Sequence, residues 1–318
     1  MTTDQPIAAP TGASPRSVAR IHAPTERRHP DTHDLDTYDA RTLLTAINAA
    51  DRDVPLAVAS ALPDLARLVD AGAASLRAGG RIHYFGAGTP GRLAVLDAAE
   101  LLPTFSLEPG RVVAHIAGGD RAILRSQEGA EDDVAAGEDA AAGLTGNDVA
   151  IGITASGRTP YVRGALAAAG LRRATTALIS ANPDAAIADV VDHHVMAPTG
   201  PEVLAGSTRM KAGTAQKLIL NAFSTAVMVQ LGKTYSNLMV DVRASNAKLR
   251  GRMVTILVEA TGLDDTTCRA ALLDAGHDLK TALVMLLAEV DPTTAGAALD
   301  DSDGRVRGAL AVLHDDRA

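Results

Sequence analysis

The sequence predicts an α/β fold in which a five-stranded parallel sheet lies between two layers of helices. Two observations support this prediction: short apolar runs rich in β-branched residues recur through the middle of the chain, and helical stretches separate them. Such an alternation is typical of a parallel sheet that is covered on both faces. The predicted strands are 82–85, 112–116, 149–154, 176–180 and 190–196.

The remaining sequence predicts helices around this sheet. Between the strands, helical segments are expected at 91–102, 122–143, 161–169 and 210–231. Apolar residues recur at helical spacing from 37 to 77, with Pro63 marking a break or kink. Beyond residue 237 the pattern is wholly helical, with amphipathic segments at 265–273, 279–289 and 306–313. The predicted division is a flexible polar arm at 1–30, N-terminal helices at 31–80, the sheet domain at 71–234 and a small helical domain at 235–318.

Composition limits the classes of function. The 318 residues are 47% hydrophobic and 21% charged, which is enough for one large core and a smaller appendage. A net charge of -8 argues against binding to nucleic acid or to an anionic membrane. The first thirty residues hold no apolar run of signal-peptide length, so a cytoplasmic location is expected. Cys268 is the only cysteine, which excludes an internal disulfide and a thiolate metal cluster.

The first predicted strand runs into a glycine-rich turn at 86–91, where a helix is expected to begin. The turn contains G-x-G-x-x-G, but a dinucleotide site also needs an acidic residue at the end of the second strand. That strand is followed by two glycines, and Asp120 comes only after them. Gly88 and Thr89 are therefore predicted to bind a phosphate monoester at a helix N-terminus, with Pro90 tolerated in the first turn. A tight turn without a ligand is the alternative.

Two further turns carry small hydroxylated residues before a helix. The first follows the third strand, and the second precedes the long apolar helix at 210–231. Each turn could also be the ordinary capped start of a helix without a ligand. In the second turn, the lysine would then be a surface cation. The candidate phosphate-binding residues in these turns are Ser156, Gly157, Arg158, Thr159, Ser207, Thr208 and Lys211.

Carboxylates are the candidate catalytic groups. Glu100 follows Leu93 and Leu96 at helical spacing, which predicts that it faces packed surface, where burial would favour its protonated form. Glu128, Glu131 and Asp132 are expected to share one helix face, where mutual repulsion favours retention of a proton. Structural ion pairs would also explain such acids. Histidines do not form a metal-binding pattern, because His193 and His194 are adjacent on a strand and point to opposite faces; no metal is predicted.

Several long segments, in order, closely resemble the N-acetylmuramic acid 6-phosphate etherases. These segments are 86–100, 116–119, 128–133, 200–217 and 235–249. The resemblance begins near 25–28 and continues more weakly through the C-terminal helices, of which 261–289 resemble a ubiquitin-associated-like module. In one position this chain departs from the family, because Pro90 stands where the family usually has a serine, so one hydroxyl to the phosphate is missing.

The resemblance implies a sugar isomerase (SIS) domain, a homodimer and a cofactor-free lyase. The implied substrate is a small sugar phosphate, N-acetylmuramic acid 6-phosphate, which loses D-lactate and leaves N-acetylglucosamine 6-phosphate. The family's two acid–base glutamates correspond to Glu100 and Glu131. Opening of the sugar ring exposes a C1 aldehyde that acidifies the C2 proton. One glutamate then removes this proton, the other protonates the departing ether oxygen, and water adds afterwards. Either assignment of the two roles remains open.

Two alternatives use the same type of domain. An aldose–ketose isomerase would shuttle a proton between C1 and C2 and release no lactate. A non-catalytic sensor would resemble the glucokinase regulatory protein, although that protein has two SIS domains and this sequence predicts one. A transcriptional regulator would need a basic helix-turn-helix segment, whereas residues 1–60 carry net negative charge.

Overall fold

The computed structural model describes residues 23–242 and 247–315. Most of the predicted flexible arm, residues 1–22, lies outside them. The end of the arm is packed, which corrects the prediction for 23–30: Ala23 and Thr25 are fully buried, and a short 3-10 helix spans Pro24–Glu26. A contact with a distant part of the sequence holds this segment in place: the backbone N–H of Gly206 donates a hydrogen bond to the carbonyl of Thr25 (2.9 Å).

Five parallel strands form the central sheet, as predicted. They follow the order β2-β1-β3-β4-β5. The register pairs Gly86 with both Ile116 and Ile153, so these strands end together and their following turns share one edge of the sheet. The strands are β1 (Ile82–Gly86), β2 (Val112–Ile116), β3 (Val149–Ile153), β4 (Thr175–Ser180) and β5 (His193–Met196).

Helices cover both faces of the sheet. Successive side chains of a strand point to opposite faces, so Tyr84 packs in a core with α2, α3 and α7, whereas Phe85 packs in a second core with α6. The helices of this part are α1 (Ala40–Asp51), α2 (Val54–Arg77), α3 (Gly88–Phe105), α4 (Arg121–Leu124), α5 (Val134–Ala140), α6 (Pro160–Leu171) and α7 (Lys211–Gln230). Helix α2 continues through Pro63, so a break there is wrong, whereas a kink at Pro63 stays a prediction.

The predicted helix at 122–143 is wrong, because the segment forms three short pieces. Helix α4 ends at Leu124, a 3-10 turn spans Ala130–Asp132, and α5 begins only at Val134. Gly129 has a φ of 73°, a left-handed conformation that ends helical continuity. The Asp133 side chain then accepts a hydrogen bond from the Ala136 N–H and starts a new helix.

A buried carboxylate connects α3 to β1 and α7. Asp97 is 3% exposed. It accepts hydrogen bonds from the Tyr84 hydroxyl (3.0 Å), the Asn221 side-chain amide (2.8 Å) and the Ser224 hydroxyl (3.0 Å). Burial raises the pKa of Asp97, and these three donors together with the positive charge of Lys217 oppose that shift.

A separate core holds the C-terminal helices together, with Leu257, Leu283 and Val284 buried in it. The expectation of a wholly helical pattern beyond residue 237 is wrong at its start, because β6 (Thr234–Tyr235) and β7 (Leu238–Met239) form an antiparallel hairpin. The domain boundaries given above remain predictions. The helices are α8 (Ala247–Thr261), α9 (Asp265–Asp274), α10 (Leu279–Ala288), α11 (Pro292–Asp300) and α12 (Val306–Asp315).

Over the described ranges, no single helix is long and apolar enough to cross a membrane; α10 and α11 meet the length and composition criteria only as a pair bent by 109°.

Two imidazoles lie side by side on β1 and β2. His83 Nδ1 is 3.0 Å from His115 Nε2, and the His115 ring stacks on Phe85 with centroids 4.7 Å apart. Only one proton can occupy the bond between these nitrogens. Burial, together with the positive charge of a protonated His83, lowers the pKa of His115 to about 4.

We expect replacement of Asp97 by leucine to lower the free energy of unfolding by about 3 kcal/mol, because two buried donors and one half-buried donor lose their acceptor. Urea unfolding at neutral pH measures the change. The control is Asp139→Leu at an exposed position of α5, which should change stability far less. Equal effects of the two substitutions would contradict a structural role for the Asp97 contacts.

We expect the protein to lose stability as the pH falls from 6.5 towards about 4, the interval between the ordinary pKa of histidine and the lowered pKa of His115. In this interval the unfolded chain binds a proton at His115 that the folded chain does not bind, so acid favours unfolding. His115→Phe should flatten this part of a plot of unfolding free energy against pH. The control His314→Gln removes an exposed imidazole and should leave the slope unchanged.

Candidate active site

Glycines allow the turn after β1 to pack closely against the ends of the strands. A Cβ atom at Gly86 would lie 2.7 Å from the backbone nitrogen of Gly91, and one at Gly91 would lie 2.6 Å from Ile116 Cγ1. Gly88 begins α3 with a φ of 59°. The first turn of α3 therefore sits directly on the ends of β1 and β2, where its backbone N–H groups and dipole favour an anion.

The turn after β3 is held by its own hydroxyl groups. Thr154 Oγ1 lies 2.7 Å from Thr159 Oγ1 and 3.4 Å from Ser156 Oγ. The Asn182 side-chain amide donates to the Ser156 carbonyl (2.9 Å), which ties this turn to the one after β4. Gly157 leaves no space for a side chain, since a Cβ there would lie 2.2 Å from Ala185 Cβ. Arg158 is exposed.

The third candidate turn leads into α7 and contains two buried charged residues, Glu202 and Lys211. Glu202 is 0% exposed, and its carboxylate accepts hydrogen bonds from the N–H groups of Lys211 (2.9 Å) and Ala212 (3.0 Å). Burial raises the pKa of Glu202; these two N–H groups and the charge of Lys211 oppose the shift. Sequence reasoning missed Glu202, although it lies within the segment 200–217 that carries the family resemblance.

Lys211 is not the surface cation that the sequence allowed. It is 3% exposed, and its ammonium group donates to the carbonyl of Thr199 (2.7 Å). Its charge is therefore directed into the protein beside Glu202 and not towards the cavity described below. The N-terminal segment closes over the same loop, because the Thr32 hydroxyl donates to the Val203 carbonyl (2.9 Å).

The structure places the three turns next to one another. Ala155, Ala181 and Ala212 form a small buried cluster that joins the turns after β3 and β4 to α7. A Cβ atom at Gly213 would lie 3.5 Å from Thr89 Cγ2 and 3.4 Å from the Thr208 carbonyl, so the turn after β1 also contacts this region. These small residues allow the hydroxyl-bearing turns to converge at one edge of the sheet.

A cavity of about 330 Å³ connects the turn after β1 to one of the predicted glutamates. Gly88, Arg92, Glu128 and Glu131 are among its lining residues. Arg92 is fixed by a hydrogen bond from its Nε to the carbonyl of Ile123 (2.9 Å). The expected helix face shared by Glu128, Glu131 and Asp132 does not exist, because Glu131 lies in the 3-10 turn, but Glu128 and Glu131 still meet at this cavity.

Glu100 does not line the cavity, and the prediction that it faces packed surface is wrong. It is exposed, and Leu96 on the same stripe is 50% exposed. The buried face of α3 instead includes Ala94, Asp97 and Leu101. Asp97 is therefore the buried acid of this helix, and its spacing of three and four residues from Ala94 and Leu101 is the signal that sequence reasoning overlooked.

A larger, mostly apolar groove of about 830 Å³ runs beside the edge strand β2. Val95, Ala99 and Leu102 of α3 form one side, and His115 and Tyr161 also line it. Leu102 is 52% exposed. The groove and the exposed side of α3 therefore form a continuous apolar surface.

Comparison with known proteins reveals close relatives. The chain is 60% identical to an N-acetylmuramic acid 6-phosphate etherase of Thermobifida fusca over 85% of this chain and 89% of that protein. It is 50% identical to the enzyme of the same name from Serratia proteamaculans (90% and 97%) and 49% identical to that from Streptomyces avermitilis (91% and 93%). The family described as the glucokinase regulatory protein N-terminal SIS domain matches residues 64–170. Among solved structures, a phosphoheptose isomerase from Francisella tularensis aligns with a TM-score of 0.49 and 16% identity, over 60% of this chain and 100% of that one.

Proposed function

This chain belongs to the N-acetylmuramic acid 6-phosphate etherase family, and from this premise we propose that it cleaves the D-lactyl ether of N-acetylmuramic acid 6-phosphate. The products are D-lactate and N-acetylglucosamine 6-phosphate. The observation that carries the proposal is the cavity in which the glycine turn at Gly88 and the carboxylate of Glu131 face the same space. It offers an anion site and a proton-transfer group within reach of one small sugar phosphate.

The phosphate is held at the start of α3. Backbone N–H groups of the Gly88–Thr89 turn and the hydroxyls of Thr89, Ser207 and Thr208 supply donors, and the turn containing Ser156, Gly157, Arg158 and Thr159 completes the site. Pro90 contributes neither an N–H nor a hydroxyl, so the backbone and the other turns carry more of the binding here. Lys211 acts indirectly: its backbone N–H donates to the Glu202 carboxylate and its ammonium group donates to the Thr199 carbonyl, and both contacts fix the start of α7.

Elimination requires two carboxyl groups near adjacent atoms, the C2 proton and the oxygen on C3. Glu131 meets this requirement from the cavity. Glu100 lies eleven residues beyond Thr89, about 16 Å along the helix, and so does not reach the same sugar within one chain. We therefore propose a homodimer in which Glu100 of one subunit joins Glu131 of the other. The apolar groove beside β2 and the exposed side of α3 are the surfaces available for such a contact.

The chemistry proposed here needs only proton transfer and water, because the C1 aldehyde of the open-chain sugar already activates the C2 proton. We accordingly propose that no metal or cofactor takes part. A cytoplasmic location is also proposed, since a phosphorylated sugar is made where phosphoryl donors are available.

We expect Glu131→Gln to reduce lactate release on the order of a hundredfold or more, the usual contribution of one general acid–base group. Sugar-phosphate binding should persist, because the phosphate contacts remain. The measurement is lactate formed from N-acetylmuramic acid 6-phosphate, with isomerised sugar phosphate assayed beside it. Glu138→Gln on α5, exposed and away from the cavity, is the matched control. An isomerised product without lactate would favour the isomerase, and binding without any product would favour the sensor.

A mixed dimer tests the shared site. Glu100→Gln and Glu131→Gln chains with different tags are co-expressed, and dimers carrying both tags are purified. Such a dimer contains one intact site and one doubly altered site, so about half of the wild-type turnover should return, although each variant alone is inactive. If each site belonged to one chain, the mixed dimer would stay inactive while the wild type still released lactate.

A further inference from the structure

A second cavity, of about 690 Å³, lies where the sheet domain meets the C-terminal helices. Arg77 at the end of α2 and Arg305 and Arg307 at the start of α12 line it, together with Thr234 and Ser236 of the hairpin. Within the described part of the chain, no carboxylate is among its lining residues. In a protein with a net charge of -8, this is a local concentration of positive charge in a concave site.

Two of the arginines are held next to each other. Arg77 Nη2 and Arg305 Nη2 both donate to the carbonyl oxygen of Gln230, at 2.7 Å and 3.0 Å. Like charges at this separation repel. Over the residues that the structure describes, neither arginine has a carboxylate partner within 4.0 Å. An anion in the cavity would remove this repulsion.

The positions of the arginines are fixed by their surroundings. Gly232 has a φ of 72°, and a Cβ there would lie 2.7 Å from Arg305 Cγ, so the absence of a side chain creates the path along which Arg305 reaches Gln230. The Arg307 guanidinium lies over the Tyr235 ring, 5.4 Å from its centroid. Stacking of this kind orients the guanidinium and leaves its N–H edge available to a ligand.

Two carboxylates of this part of the protein have other partners. Asp241 pairs with Lys233 (2.7 Å) and with Lys280 (3.0 Å). Asp70 accepts a hydrogen bond from the side-chain amide of Gln230 (2.7 Å). Among the described residues, neither carboxylate forms a salt bridge with Arg77, Arg305 or Arg307.

We infer that this cavity binds a small anion that carries a phosphate or diphosphate group, at a site separate from the candidate active site. Arg77 precedes β1 and Gln230 ends α7, whereas the candidate active site follows β1 and adjoins the start of α7. The length of α7, about 30 Å, separates the two sites. The guanidinium groups bind phosphate oxygens, and the hydroxyls of Thr234 and Ser236 supply additional donors. Because the arginines come from both parts of the chain, the anion fastens the C-terminal helices to the sheet domain.

Inorganic pyrophosphate is the probe for a residue-resolved test. The full chain is labelled with phenylglyoxal, and modified arginines are quantified by mass spectrometry. At a pyrophosphate concentration about ten times its Kd, labelling of Arg305 and Arg307 should be roughly tenfold slower. The exposed Arg163 and Arg252 should be labelled at an unchanged rate. If pyrophosphate left the labelling rate of each of the four arginines unchanged, the inference would be overturned.

A pair of variants tests the coupling between the two parts of the chain. Pyrophosphate should raise the Tm of the wild type. In the double variant Arg305→Gln, Arg307→Gln this rise should be smaller, because binding in the arginine-lined cavity is lost. The control Arg163→Gln, Arg252→Gln removes the same charge and should keep the whole rise. The same rise in all three proteins, or equal losses in both variants, would reject the site. Lactate release without pyrophosphate should be unaffected in both variants, so the outcome is independent of the proposed activity.

Discussion

The carboxylate of Asp97 is the contact on which the geometry of the candidate site most depends. It accepts hydrogen bonds from β1 and from two residues of α7 while belonging to α3. The glycine turn opens α3, and the third hydroxyl-bearing turn leads into α7. Relative movement of these helices would therefore separate groups proposed to hold one phosphate. Burial of a charged group is unfavourable, and its three donors offset that cost.

Small residues and buried charges perform different tasks around this contact. Glycines and alanines let the turns approach one another, since even a Cβ atom at Gly91 or Gly157 would overlap a neighbour. Glu202 and Lys211 then fix the loop before α7 from within the protein through separate hydrogen bonds to backbone groups. Charged groups at this edge thus divide into buried ones that position the backbone and exposed ones, such as Glu131, that remain available to a substrate.

The separation of Glu100 from Glu131 connects this fold to its chemistry. A β-elimination needs two proton-transfer groups at neighbouring atoms, yet Glu131 lines the cavity beside the glycine turn and Glu100 does not. Apolar exposed residues of α3 adjoin Glu100, which is consistent with a subunit contact on that side. Association of two chains would then assemble the site and exclude water from it, which strengthens electrostatic interactions with the reacting sugar.

Features with a local signal were predictable from sequence. The five strands follow from short apolar runs, and the turn after β1 follows from glycines whose conformations depend on immediate neighbours. The family resemblance predicts a role for Glu131 without needing its position. Tertiary structure alone decided that Asp97 and not Glu100 is buried, that Lys211 faces inward, and that Arg77 meets Arg305. Each of these outcomes depends on partners that are distant in sequence: Asp97 is paired with Asn221, and Arg77 and Arg305 share the carbonyl of Gln230. Periodicity indicates that a helix has a buried face, but the elements packed against it determine which residues that face contains.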